Sequence, residues 1–106
     1  MKTKKLRIFY TTCKSLSDAK KLSENLVKNK VAVCTNIFES LVSIYIDEGK
    51  VNSVKEVGVI IKSLSTKKSL EKILERSHPY EIPFIGELKV DRVNQKYLKW
   101  AVNALK

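Results

Sequence analysis

An α+β domain with the element order β-α-β-β-α-β-α is what this sequence predicts, on three observations. Stretches rich in β-branched and aromatic residues alternate with amphipathic stretches of helical period. One turn signal, Glu48-Gly49-Lys50, joins two long β-type runs into a hairpin. Both prolines and the one histidine gather in His78-Pro79-Tyr80-Glu81-Ile82-Pro83, a segment that cannot be helix interior. At 106 residues the chain is expected to form a single domain, residues 1–106.

The elements follow in order. Leu6-Arg7-Ile8-Phe9-Tyr10-Thr11-Thr12 reads as the first strand. Ser15-Leu16-Ser17-Asp18 has the form of a capping box, and Leu16, Ala19, Leu22, Leu26 and Val27 then fall on one helical stripe that ends near Asn29-Lys30. Residues 31–46 form a β-type stretch interrupted at Glu39-Ser40, and residues 51–63 return beside it. A second helix over residues 66–77 carries Leu70, Ile73 and Leu74 on its buried side. His78 and Ile82 each precede a proline, which pushes both into extended backbone and makes the segment a stiff elbow. Residues 84–90 supply the last strand. Asn94 is placed to cap a final helix whose inner side is Tyr97, Leu98, Ala101, Val102 and Leu105.

The simplest right-handed arrangement of that order is the ferredoxin-like fold, βαββαβ, here with an extra C-terminal helix and a long central β-hairpin. Its first and last strands are antiparallel neighbours. Cys13 therefore belongs beside Pro79-Tyr80, and Cys34 belongs at the opposite end of the sheet. The hairpin alternates apolar residues on both faces over more length than one helical layer covers, which predicts association between subunits.

A net charge of +10 invites a nucleic-acid reading, yet 18 of the 21 basic residues are lysines scattered along the chain. Only Arg7, Arg76 and Arg92 could make the bidentate contacts that phosphates and bases favour. No nucleic-acid partner is expected. No apolar run approaches the ~20 residues of a membrane helix, so no membrane partner is expected either. Met1-Lys2-Thr3-Lys4-Lys5 has the charge of a leader, but no long apolar stretch follows it, and a cytoplasmic location is expected. Cys13 and Cys34 are not in a Cys-x-x-Cys pair, and neither marks a zinc site alone. There is no glycine-rich phosphate loop, no catalytic carboxylate pair and no nucleophile–base–acid set, so no enzyme is expected. His78 reads either as a metal ligand through a neutral imidazole nitrogen or as a residue that hydrogen-bonds loop backbone and stiffens the elbow. Cys13 reads as its soft partner or as a small core residue.

The chain resembles the CutA divalent-cation tolerance family over nearly its whole length. The resemblance rests on Ala32-Val33-Cys34-Thr35-Asn36-Ile37, on Ser43-Ile44-Tyr45 with Glu48-Gly49-Lys50-Val51, and on the strand from Glu56 to Lys62. His78-Pro79-Tyr80-Glu81-Ile82-Pro83 and Tyr97-Leu98-Lys99-Trp100 match the family's H-P-Y-E-x-P and Y-L-x-W signatures. It implies a ferredoxin-like homotrimer with a role in tolerance to divalent metals, copper above all. The chain departs from the family pattern at Asp47 (often Trp), Phe84 (often Glu), Lys89 (usually Pro) and Val93 (usually Gly). The family's proposed ligands are a first-strand Cys, the H-P-Y His and that Glu. In this chain Tyr10 holds the Cys position, with Cys13 three residues on. The expected site is therefore His78, Cys13 and Glu81, taking Cu(II) or another divalent cation. Two other readings are a trimeric small-molecule sensor resembling the nitrogen-regulatory signal proteins, and a basic nucleic-acid-binding module.

Overall fold

A computed structural model describes residues 2–106. The order is β1 (Lys2–Cys13), α1 (Leu16–Lys28), β2 (Cys34–Asp47), β3 (Lys50–Ser65), α2 (Lys67–Ser77), β4 (Ile85–Leu88) and α3 (Gln95–Ala104). The four strands make one antiparallel sheet in the order β2-β3-β1-β4, the ferredoxin-like arrangement that the element order predicts. Met1, the first residue of the leader-like start, lies outside the described residues. Among those described, no helix is long and apolar enough to cross a membrane.

Local chemistry sets the boundaries. Ser15 caps α1 by accepting a hydrogen bond from the Asp18 amide at 3.1 Å. At the other end Lys30 takes a φ of 59°, and the Lys30 and Val31 amides return to the carbonyls of Val27 and Leu26. This pair of bonds closes the helix in a Schellman motif and turns Val31 and Ala32 under it. For that reason β2 starts at Cys34 and not at Val31. The hairpin closes on Glu48 and Gly49, both with positive φ, and Asp47 pairs with Lys50; this is the two-residue turn whose twist matches the strands. The predicted interruption at Glu39-Ser40 is a bulge: the register shifts between Phe38 and Leu41, and Ser40 has a φ of 65°.

β4 is shorter than its sequence suggests. It pairs with β1 only from Ile85 to Leu88, and the chain leaves the sheet at Lys89. Asn94 occupies the N-cap position of α3, but its side chain makes no capping hydrogen bond.

Period-two alternation divides the sheet into two faces. On one, Phe9, Cys13, Val57, Val59 and Ile61 pack against Ala19, Leu22 and Leu26 of α1 and Leu70 and Leu74 of α2. On the other, α3 covers only one end, where Leu6, Val33 and Leu64 meet Ala101 and Leu105. The remainder of that face leaves Phe38, Phe84 and Leu88 substantially exposed. Beyond the bulge the hairpin projects from the body, stretching the molecule to 46 × 27 × 24 Å. Ile44 and Ile46 there are 71% and 72% exposed.

Candidate functional site

The elbow takes the backbone that its prolines dictate. His78 is the C-cap of α2 at φ −77° and ψ 135°, with its amide bonded to the Leu74 carbonyl at 3.0 Å. Extension at that point ends the helix and swings the imidazole back over the end of β1. Since β1 ends at Cys13 opposite Val57, the next residue back along β3, Glu56, has no β1 partner on that side. The elbow fills the space.

Four residues meet there. The His78 Nε2 lies 2.8 Å from the Thr12 carbonyl, and the Tyr80 amide donates to His78 Nδ1 at 3.0 Å. An Nδ1 that accepts is unprotonated, so the imidazole is the neutral tautomer with its proton on Nε2, donated to Thr12. The two rings lie 4.9 Å apart, and the Tyr80 hydroxyl donates to Glu56 Oε2 at 2.6 Å. Burial pushes the Glu56 carboxyl up, but hydrogen bonds from Ser43, Tyr80 and Thr12 outweigh it, so the carboxyl is held below its ordinary value. Burial pushes the Tyr80 phenol well above its usual range, and Glu56 holds its proton there. One hydrogen-bonded chain thus links the elbow, the end of β1 and the base of the hairpin.

Tyr80→Phe tests this chain. It removes a bond to an ionised group, worth about 1.5–3 kcal/mol. The Glu56 carboxyl should then titrate closer to its ordinary value by carboxyl NMR. An unmoved Glu56 would mean that the phenol does not control it.

Of the expected ligands, His78 and Cys13 lie at the same end of the sheet, and Cys34 lies at the other, opposite Lys62. Their environments do not form a ready metal centre. Both His78 nitrogens are engaged, and the ring is buried. Cys13 is fully buried in the core, where burial, then Asp18 and Glu56, push its thiol up to about 11 and keep it protonated at neutral pH. Glu81 is exposed. Among the described residues no three His, Cys, Asp or Glu side chains come together as metal ligands. Phe84, at the position where relatives often carry Glu, stacks near Tyr10 at 6.2 Å and covers Gly86, where an added Cβ would sit 2.7 Å from the ring.

Glu56 is the residue that sequence reasoning missed. It opens a strand motif and bears no pairing signal of its own. Only the long loop closure from residue 56 to residue 80 brings its partner in. At the other end of the sheet, Tyr97 is packed against Trp100 at 5.3 Å with the Lys62 ammonium over its ring. Burial first, and Cys34 beside it, raise the Tyr97 phenol. These aromatics pack, as their helical spacing suggests.

The family profile described as CutA1 divalent ion tolerance protein matches residues 7–104. A divalent-cation tolerance protein CutA from Thermococcus kodakarensis is 35% identical over 99 residues, 92% of this chain and 94% of that protein. The solved structure of a periplasmic divalent cation tolerance protein CutA from Archaeoglobus fulgidus superimposes with a TM-score of 0.87 at 27% identity, covering 96% of this chain and all of that one. An Arabidopsis thaliana relative, a chloroplastic CutA, is 34% identical over 92% of this chain and 54% of its own length. These relatives correct the expected cytoplasmic location. One is described as periplasmic and another as chloroplastic, so the lack of a long apolar leader does not assign the compartment.

Proposed function

Because this chain belongs to the CutA1 divalent ion tolerance family, we propose that it works as a homotrimeric divalent-cation tolerance protein, with copper as the ion and no catalysis of its own. The observation that carries the assembly is the uncovered apolar surface. Val42, Ile44, Ile46 and Val51 project on one face of the hairpin, and Phe38, Phe84 and Leu88 lie on the open sheet face. Exposed apolar area of this extent marks a protein–protein contact, and neighbouring subunits also cover strand edges. Sedimentation equilibrium should return three times the 12.1 kDa chain mass. A single-chain mass at micromolar concentration would remove the trimer.

For copper, a subunit offers donors and not a finished site. His78 must exchange one hydrogen bond for the ion, and Cys13 must release a proton that burial holds. Copper is therefore cargo met at the His78 end of the assembled protein, with Cys13 and Glu81 as the proposed partners. Calorimetric titration of metal-free protein with Cu(II) tests this. His78→Ala should abolish stoichiometric binding, and Cys34→Ala, at the far end of the sheet, should keep it. The variant loses two buried hydrogen bonds, about 1–3 kcal/mol in all, so its assembly is checked alongside. Unchanged copper affinity in assembled His78→Ala would leave the elbow as a structural hinge only.

A further inference from the structure

A second site lies away from the elbow, at the other end of β1. After Leu88 the chain leaves β1, and the gap that opens between β1, the chain beyond β4 and the start of α2 is a cleft of about 460 Å³. Arg7, Lys67 and Lys89 line it, and among the described lining residues the carboxylates are Glu87 and Asp91. One of those is already engaged: the Arg7 guanidinium meets Glu87 Oε2 at 3.0 Å. The cleft lining therefore carries a net positive charge.

Two further features have the same sign. The Arg7 Nε is buried with no hydrogen-bond partner among the described residues, an arrangement that costs stability. The first turn of α2 holds Lys67 and Lys68 and no acidic residue. Helix starts favour negative charge, because their first amides lack intrahelical acceptors. Here Thr66 Oγ1 takes the Ser69 amide at 3.3 Å, and lysines stand where Asp or Glu would be stabilising. A sequence that breaks a local rule on the wall of a cleft marks a functional position. An anion seated in the cleft would offset the positive lining and the lysine that opens α2.

We infer that this cleft binds a small phosphate-bearing molecule. The phosphoryl group lies against Arg7 and Lys67, with Lys89 on the facing wall. A doubly charged group with three acceptor oxygens suits a planar guanidinium and two ammonium groups better than a carboxylate does. The volume is that of a small-molecule pocket, about 300–1,000 Å³, and exceeds what a bare ion fills. The space beyond the phosphoryl group leaves room for an organic part. The site uses none of the residues proposed for copper.

Calorimetric titration of the assembled protein is the test, with inorganic phosphate and adenosine monophosphate as probes, and adenosine and chloride at matched ionic strength as blanks. Both phosphate probes should bind saturably and the blanks should not. Tighter binding of adenosine monophosphate than of phosphate would add the organic half of the proposal; equal binding would reduce the ligand to phosphate itself and overturn that half. Lys67 and Lys89 are exposed, so Lys67→Gln and Lys89→Gln keep the fold. Each should weaken binding about tenfold, the loss expected for a charge-assisted contact. Lys20→Gln, an exposed change on α1, should bind as the parent does. Absence of saturable phosphate binding, or equal losses in Lys20→Gln and Lys67→Gln, would overturn the site, since either would leave only diffuse attraction to a +10 chain.

Discussion

Ile44→Asp combined with Ile46→Asp is expected to break the proposed trimer into single chains and to lower the melting temperature by at least about 10 °C. Both side chains point from the same face of the projecting hairpin, beside Val42 and Val51, and both are more than two-thirds exposed in the isolated subunit. Burying an isoleucine is worth about 1.5–3 kcal/mol, and each subunit loses two. Placing carboxylates there would also force charge into the proposed subunit contact. The subunit core is untouched, because the hairpin beyond the bulge contributes nothing to either buried cluster. The variant should therefore stay folded while its mass falls to that of one chain. Sedimentation equilibrium and thermal melts at one fixed subunit concentration check both halves, since association makes melting depend on concentration. A variant that sediments and melts like the parent would place the subunit contact elsewhere.

Glu56→Gln should cost about 1.5–3 kcal/mol near neutral pH, and its effect should fade in acid. The carboxylate accepts hydrogen bonds from Tyr80, Ser43 and Thr12, and these favour its ionised form over the unfolded reference of 4.5. A group whose folded value is depressed contributes stability that is fully present above the unfolded value and is lost as pH falls through the folded one. The gap between parent and Glu56→Gln should be constant from neutral pH down to about 4.5 and should then close. Urea unfolding across that range, at fixed protein concentration, reads it directly. A gap that widens in acid would mean that burial dominates and the carboxyl is raised.

Much of this molecule is written in local pattern. The helices are legible because Leu22 and Leu26, or Leu70 and Leu74, recur at helical spacing behind Ser15 and Thr66 caps. The elbow is legible because each proline restricts its own φ and the residue before it. The positions of Cys13 and Cys34 at opposite ends of the sheet follow from element order and handedness alone.

What the sequence by itself determined, then, is every element whose cause lies within a few residues: helices α1 and α2, the Glu48-Gly49 turn, the interruption at Glu39-Ser40 and the extended backbone at His78. The tertiary structure decided what depends on groups far apart in the chain. It took the start of β2 to Cys34 by folding Val31 and Ala32 back on α1. It occupied both nitrogens of His78 with Thr12 and Tyr80, buried the Cys13 thiol, and joined Tyr80 to a Glu56 that carries no local signal. It also opened the basic cleft where β4 parts from β1. Hydrogen bonding and desolvation act through space, so the charge and reactivity of a side chain are settled only when its neighbours arrive.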